Sequence, residues 1–477
     1  MADTLARVTA DDVVAKLEEI TESLPGGGQR RHGQIEMTKA VSQAIADRFH
    51  LVARAGTGTG KSLAYLVPAV MSGRTTVIAT ATKALQDQLA EKDLPFLAEH
   101  LDLDWAILKG RANYVCRQRL LELADDRQMA LEGVVGHDLD AELDQIVEWS
   151  EETSTGDRAE LPAEPSSAAW SAISVTSDEC PGVNRCPSGD ACFAEAARRE
   201  AAEADLIVVN THLYGIDLAT DGAILPDHDV AIIDEAHQLE DIISATAGVE
   251  LSAGRFGDLG RRARAVVADD ELADKIADAG TDLDDALEAA GDGRLTLEAD
   301  SDLGRALTRG RDAADRLLAA LRNIGGELPP EVAARKERAQ QAATTLITEV
   351  DRAWAATDDD VAYVTGPPSR RALRVSPIDV GATLQDSLWN VPTVILTSAT
   401  VPDVLPEQIG LGPDSFQFLD VGSPFDYESA ALLYCAMDLP EPRSDEFEEA
   451  SHAELERLIV AAGGRTLARY ASSCSAK

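Results

Sequence analysis

The chain has 477 residues, and its 84 Asp and Glu outnumber its 43 Lys and Arg to leave a formal net charge of −41. At roughly 100–200 residues per domain, that length implies about three domains, and a 45% hydrophobic content excludes wholesale disorder. No apolar run reaches the roughly 18 residues of a membrane span, and Met1-Ala-Asp-Thr has neither the basic nor the apolar region of a secretory leader. A soluble, cytoplasmic protein with no membrane partner is expected.

A surface this negative repels nucleic acid in dilute buffer. Only 9 of the basic residues are Lys, and an excess of Asp and Glu of this kind suits molar salt, where the Debye length is about 3 Å. The charge therefore reads as adaptation to a salty, halophilic cytoplasm, in which it no longer excludes nucleic acid. The alternative is an acidic protein with acidic or cationic partners.

Through the first quarter, apolar β-type runs alternate with helical stretches. Leu51-Val-Ala53 is a strand, Lys61 to Val70 a helix, Thr75 to Thr80 a strand and Lys83 to Glu91 a helix. This alternation predicts an α/β fold with a parallel sheet. Further buried strands are expected at Leu206–Val209, Val230–Ile233 and Val394–Leu396. Between them, residues from about 110 to 204 hold four of the six cysteines, and residues from about 249 to 371 carry Ala, Asp, Arg and Leu at helical spacing with almost no strand signal. One sheet domain with two insertions is the economical reading.

Ala55-Gly56-Thr57-Gly58-Thr59-Gly60-Lys61-Ser62 follows a strand and opens a helix, the context of a phosphate-binding loop. Glycines let backbone N–H groups turn inward around a phosphate, and the helix N-terminus adds positive potential. Lys61 is expected to reach the β and γ phosphates and Ser62 to ligate Mg²⁺; Ala55 departs from the Gly that usually opens the pattern. Val230-Ala-Ile-Ile-Asp234-Glu235-Ala236-His237 puts two carboxylates directly after a buried strand. Asp234 is expected to hold Mg²⁺, Glu235 to orient and deprotonate the water that attacks the γ-phosphate, and His237 to relay the nucleotide state.

Cys116, Cys180, Cys186 and Cys192 form the pattern C-x63-C-x5-C-x5-C, with Cys435 and Cys474 apart. Disulfides are not expected in a cytoplasmic protein. The spacing leaves an iron–sulfur cluster, a zinc site and unconnected buried thiols all open, since structural zinc favours pairs two to four residues apart.

The phosphate loop, the Asp-Glu-Ala-His segment and Leu396-Thr-Ser398-Ala-Thr400 together resemble a superfamily 2 helicase. Arg31-His-Gly-Gln34 sits where such enzymes recognise adenine. Thr80-Ala-Thr82-Lys83 resembles the segment that contacts the nucleic-acid backbone. Lys109-Gly-Arg111-Ala-Asn-Tyr-Val-Cys116, with Asn210-Thr-His212 beyond the last cysteine, looks like the iron–sulfur domain of the XPD/DinG helicases. The resemblance implies a [4Fe-4S] cluster on the four cysteines, with Arg111, Arg117 and Arg119 as candidate DNA phosphate contacts. It implies ATP as nucleotide, single-stranded or forked DNA as partner, and 5′→3′ helicase activity in repair or replication stress. The expected organisation is a RecA-like motor domain at 1–109, the iron–sulfur domain at 110–204, motor again at 205–248, a helical arch at 249–371, the motor completed at 372–425, and the beginning of a second motor domain at 426–477. That last part reads as a helix at His452–Ala462 and a strand at Arg465–Ser472. The arginine finger of the family lies further on, so the expectation is weak hydrolysis by this chain alone, a second chain completing it, or a nucleotide- and DNA-binding module without unwinding. No nuclease carboxylate cluster precedes residue 31, so a nuclease-linked relative is not expected.

Overall fold

The strands of the computed structural model are, in chain order, β1 (His50–Arg54), β2 (Thr76–Thr80), β3 (Trp105–Ile107), β4 (Leu206–Asn210), β5 (Val230–Asp234), β6 (Val249–Ser252), β7 (Gly293–Leu295), β8 (Asp360–Thr365), β9 (Ala372–Pro377), β10 (Thr393–Ser398) and β11 (Phe416–Asp420). The structure describes residues 8–467 except 130–136, 268–269, 327, 431 and 443. Two units divide the chain, Met1–Pro424 and Phe425–Lys477.

In the first unit, seven parallel strands lie in the order β11-β1-β10-β5-β2-β4-β3. Every residue of β2, β5 and β10 is buried. That is why their sequences are continuous runs of Val, Ile, Leu, Ala and Thr rather than alternations: helices cover both faces. The register pairs Thr397 with Asp234 and Arg54 with Ser398. Strands that end together in this way deliver three functional loops to one edge.

Two insertions interrupt the sheet. Between β3 and β4, the helices Arg117–Met129, His137–Glu152, Ser167–Ile173 and Phe193–Glu203 surround a small core of Tyr114, Ile146, Trp170 and Phe193. Between β5 and β10, the helices Ala253–Arg264, Asp270–Ala290, Asp302–Asn323 and Pro330–Trp354 pack round Phe256, Leu283, Leu307 and Leu317.

The second insertion corrects two sequence expectations. It holds an antiparallel sheet, β6-β9-β8-β7, where almost no strand was expected. β6 and β7 have only 4 and 3 residues, and only alternate residues of β6 are buried, so their period-2 signal drowns beside long helices. The boundary expected at 371/372 also falls inside the β8–β9 hairpin, which pairs Thr365 with Ala372. The chain returns to the first sheet only after Pro377, at the helix Val380–Gln385. In the second unit the helix spans Phe447–Ala461 with no buried side chain. Arg465 to Leu467 are not in a strand; the rest of the strand expected at 465–472 lies outside the described residues. Among the described residues, no helix is long and apolar enough to cross a membrane.

Ion pairs stitch the two insertions together. Arg338 donates to both oxygens of Glu122, with 7% and 2% of the side chains exposed. Arg262 reaches Glu179, and Arg255 joins Asp178 at 3.0 Å to Glu349 at 2.9 Å. Burial, with the Asp178 charge close by, pushes the Glu349 carboxyl from 4.5 to about 7 despite Arg255, and its Oε2 has no hydrogen-bond partner. The folded group holds its proton where the unfolded one has lost it, so its contribution to stability is complete below about 4.5 and is lost as pH rises through about 7. Glu349→Gln should therefore flatten this part of the stability–pH curve and raise the urea midpoint at pH 8; a variant curve parallel to the wild type would refute the assignment.

Candidate nucleotide site at the sheet edge

After β1 the chain turns through Ala55–Gly60 and enters the helix Lys61–Met71. Gly58 and Gly60 have φ of 79° and 87°, which L side chains avoid. A Cβ on Gly60 would also meet Gln34 Nε2 at 2.4 Å. The loop is held from several sides. Gln34 Nε2 donates to Gly60 O at 3.1 Å, the Arg31 guanidinium donates to Gly58 O, and Thr59 Oγ1 donates to Gly56 O at 2.6 Å. Ala55 N donates to Ser398 O at 3.0 Å, and Gly56 N to Gly422 O at 2.9 Å. Ala55 itself is fully buried, and Thr57 is exposed on the loop.

Facing the loop, β5 ends at Asp234, and Glu235 follows with φ 54°. Lys61 Nζ donates to Glu235 Oε1 at 3.2 Å, and Ser398 Oγ donates to Glu235 Oε2 at 3.1 Å. His237 Nδ1 lies 2.9 Å from Ser398 Oγ and 3.4 Å from Glu235 Oε2. Asp234 is 6% exposed. Burial raises its pKa, opposed by the Lys61 charge and reinforced by that of Glu235. Tyr65 donates to Asp234 Oδ2 at 3.2 Å, and burial drives the Tyr65 pKa well above 10.0. Gln34, Arg31, Ala55 to Ser62, Asp234, Glu235 and His237 thus converge on one edge. Sequence reasoning missed Tyr65 and Gly422: the first reads as core filler, and the second sits far along the chain.

The remaining candidates lie elsewhere. Thr82 caps the helix Lys83–Gln88 by accepting from Leu85 N at 3.2 Å, and Lys83 Nζ donates to Asn113 Oδ1 at 3.1 Å. Arg111 is paired with Glu195, the Arg117 guanidinium lies 4.3 Å over the Phe193 ring, and Arg119 lies 3.7 Å from Glu122. In this state these arginines serve protein contacts rather than standing open. Cys116, Cys180, Cys186 and Cys192 line a single cavity with Arg111 and Arg117. Among the described residues, no three His, Cys, Asp or Glu side chains are gathered as a binding group for one metal ion.

A phosphate loop facing a strand-end Asp-Glu-Ala-His at the carboxyl edge of a parallel sheet defines a helicase-type nucleotide site, and the family model described as DEAD/DEAH box helicase matches residues 35–127. The chain is 35% identical to an ATP-dependent helicase DinG of Mycobacterium tuberculosis, over 94% of this chain and 72% of that protein. It is 33% identical to the ATP-dependent DNA helicase YoaA of Escherichia coli, over the same shares. A solved structure titled XPD_Helicase aligns over 91% of this chain and 70% of its own with a TM-score of 0.51, at 14% identity. The chain belongs to the DinG/YoaA family of ATP-dependent helicases. Gly60→Ala should weaken binding of a fluorescent ATP analogue about tenfold or more, because strain of about 1–3 kcal/mol adds to the Gln34 clash; unchanged affinity would show that the loop does not hold the nucleotide.

Proposed function

We propose that this chain acts as an ATP-dependent DNA helicase, coupling ATP hydrolysis to 5′→3′ movement on single-stranded or forked DNA in DNA repair. The observation that carries the reading is the contact of Lys61 with Glu235, bridged through Ser398 to His237. Arriving phosphates draw Lys61 away from Glu235, because a triphosphate outweighs one carboxylate as partner. Glu235 keeps its Ser398 and His237 contacts and is freed to accept a proton from the attacking water. Gln34 and Arg31 support the loop beside the base. Asp234 and Ser62 offer the hard oxygen donors that suit Mg²⁺, which would supply charge neutralisation at the phosphates. Because Ser398 ends β10 and touches Glu235 directly, the state of the carboxylate is felt by the strand, as a coupling segment requires.

The four cysteines suit a [4Fe-4S] cluster. They line one cavity, and four thiolates are the ligand set of such a cluster. Burial pushes the Cys116 thiol up to about 11, so loading must displace its proton. Thr82, Lys83, Arg111, Arg117 and Arg119 remain the candidate DNA contacts of this reading, the arginines by exchanging carboxylate for phosphate.

DNA-stimulated ATP turnover in molar KCl tests the motor. Lys61→Ala and Glu235→Gln should each lower it at least about a hundredfold. Equal turnover in wild type and both variants would sink the site, and ATP and DNA binding without turnover in the wild type would leave a binding module. For the cluster, anaerobically purified protein should carry iron and sulfide that Cys192→Ser loses; zinc in their place would overturn that part.

A further inference from the structure

Tyr65 lies one helical turn beyond Lys61, and none of its surface is exposed. Its ring packs in the core among residues such as Leu66, Ile78 and Ile232, where Phe would fill the same space. The hydroxyl is what distinguishes it, and a hydroxyl taken wholly out of water needs partners. Its partner belongs to the nucleotide site: it donates to Asp234 Oδ2 at 3.2 Å. The other oxygen, Asp234 Oδ1, accepts from Glu235 N at 3.0 Å.

We propose that Tyr65 is a positioning residue for the divalent cation, fixing the Asp234 carboxylate through its buried hydroxyl. The inference rests on the nucleotide-site reading above. Tyr65 spends its proton on Asp234, which fixes the rotation of the carboxylate while each oxygen keeps a further lone pair. Magnesium demands near-octahedral oxygen geometry and dehydrates reluctantly, so a carboxylate held in place before it arrives lowers the concentration at which it binds. Removing the hydroxyl leaves Asp234 freer to rotate without changing its charge.

The test is a titration of a fluorescent ATP analogue into wild type and Tyr65→Phe, first in EDTA and then across a Mg²⁺ series. In EDTA the two affinities should agree within about twofold. The Mg²⁺ concentration for half-maximal tightening should rise about tenfold in the variant, the scale of one hydrogen bond to a charged group. In an Asp234→Asn background, Tyr65→Phe should add nothing further to the Mg²⁺ requirement. An unchanged requirement, an equal loss in EDTA and Mg²⁺, or full additivity with Asp234→Asn would each show a core residue only. Tightening by Mg²⁺ in the wild type with any of these results overturns the role of Tyr65 alone; no tightening in the wild type overturns the nucleotide site with it.

Discussion

Glu235 leaves β5 in a left-handed backbone conformation, with its carboxylate between Lys61 on one side and Ser398 and His237 on the other. An isolated charge in this half-covered setting would cost free energy, and the lysine ammonium offsets that cost for as long as no phosphate is present. The rest of the site depends on this pairing. It stores the lysine beside its later partner. It also connects strands β5 and β10, which touch through backbone pairing, by a side-chain bridge at their ends.

The sheet gives that bridge its geometry, and arginine gives the insertions theirs. With 43 basic residues against 84 acidic ones, of which only 9 are Lys, most cations in this chain are planar guanidinium groups that can grip a carboxylate by two bonds. Arg338 does so with Glu122. Surface pairs fade when the Debye length falls to about 3 Å in molar salt, while buried pairs are screened far less. Of the pairs at the joint between the insertions, Arg338–Glu122 is of the class that high salt spares.

Legibility from sequence followed the range of the signal. The phosphate loop and Asp234–His237 are contiguous, their residue types are dictated by local backbone and charge, and the structure gathers them at one edge. The strands β2, β4, β5 and β10 are continuous apolar runs, so they too were readable. The small sheet β6–β9 was not, because its strands meet across most of the second insertion and carry only a weak alternation. Edge strand β11, with the partly exposed pattern of Phe416–Asp420, looks like loop until β1 is placed beside it. Tyr65 was hidden by its own ring, since nothing in the helix pattern separates a core tyrosine from one whose hydroxyl has work in the site. Arg111 and Arg119 illustrate the reverse: their spacing around Cys116 suggested open cations, and the carboxylates that hold them come from Glu195 and Glu122.

The strand order also sets a sequence of events for a chain emerging from the ribosome. The neighbours of β1 are β10 and β11, and β10 separates it from β5. At about 5–20 residues per second, the interval between Asp234 and Thr393 lasts about 10–30 s, during which β5 presents an open edge and β1 has no strand partner at all. The second insertion, made in that interval, has its own core and can settle first, whereas open strand edges invite wrong pairing. Ala55 and Gly56 find their carbonyl partners only when Ser398 and Gly422 have been made. A phosphate loop whose sequence is complete by Ser62 thus gains its last backbone partner only after the chain has passed residue 422, so nascent fragments that carry the full phosphate-loop sequence lack the partners that shape the loop.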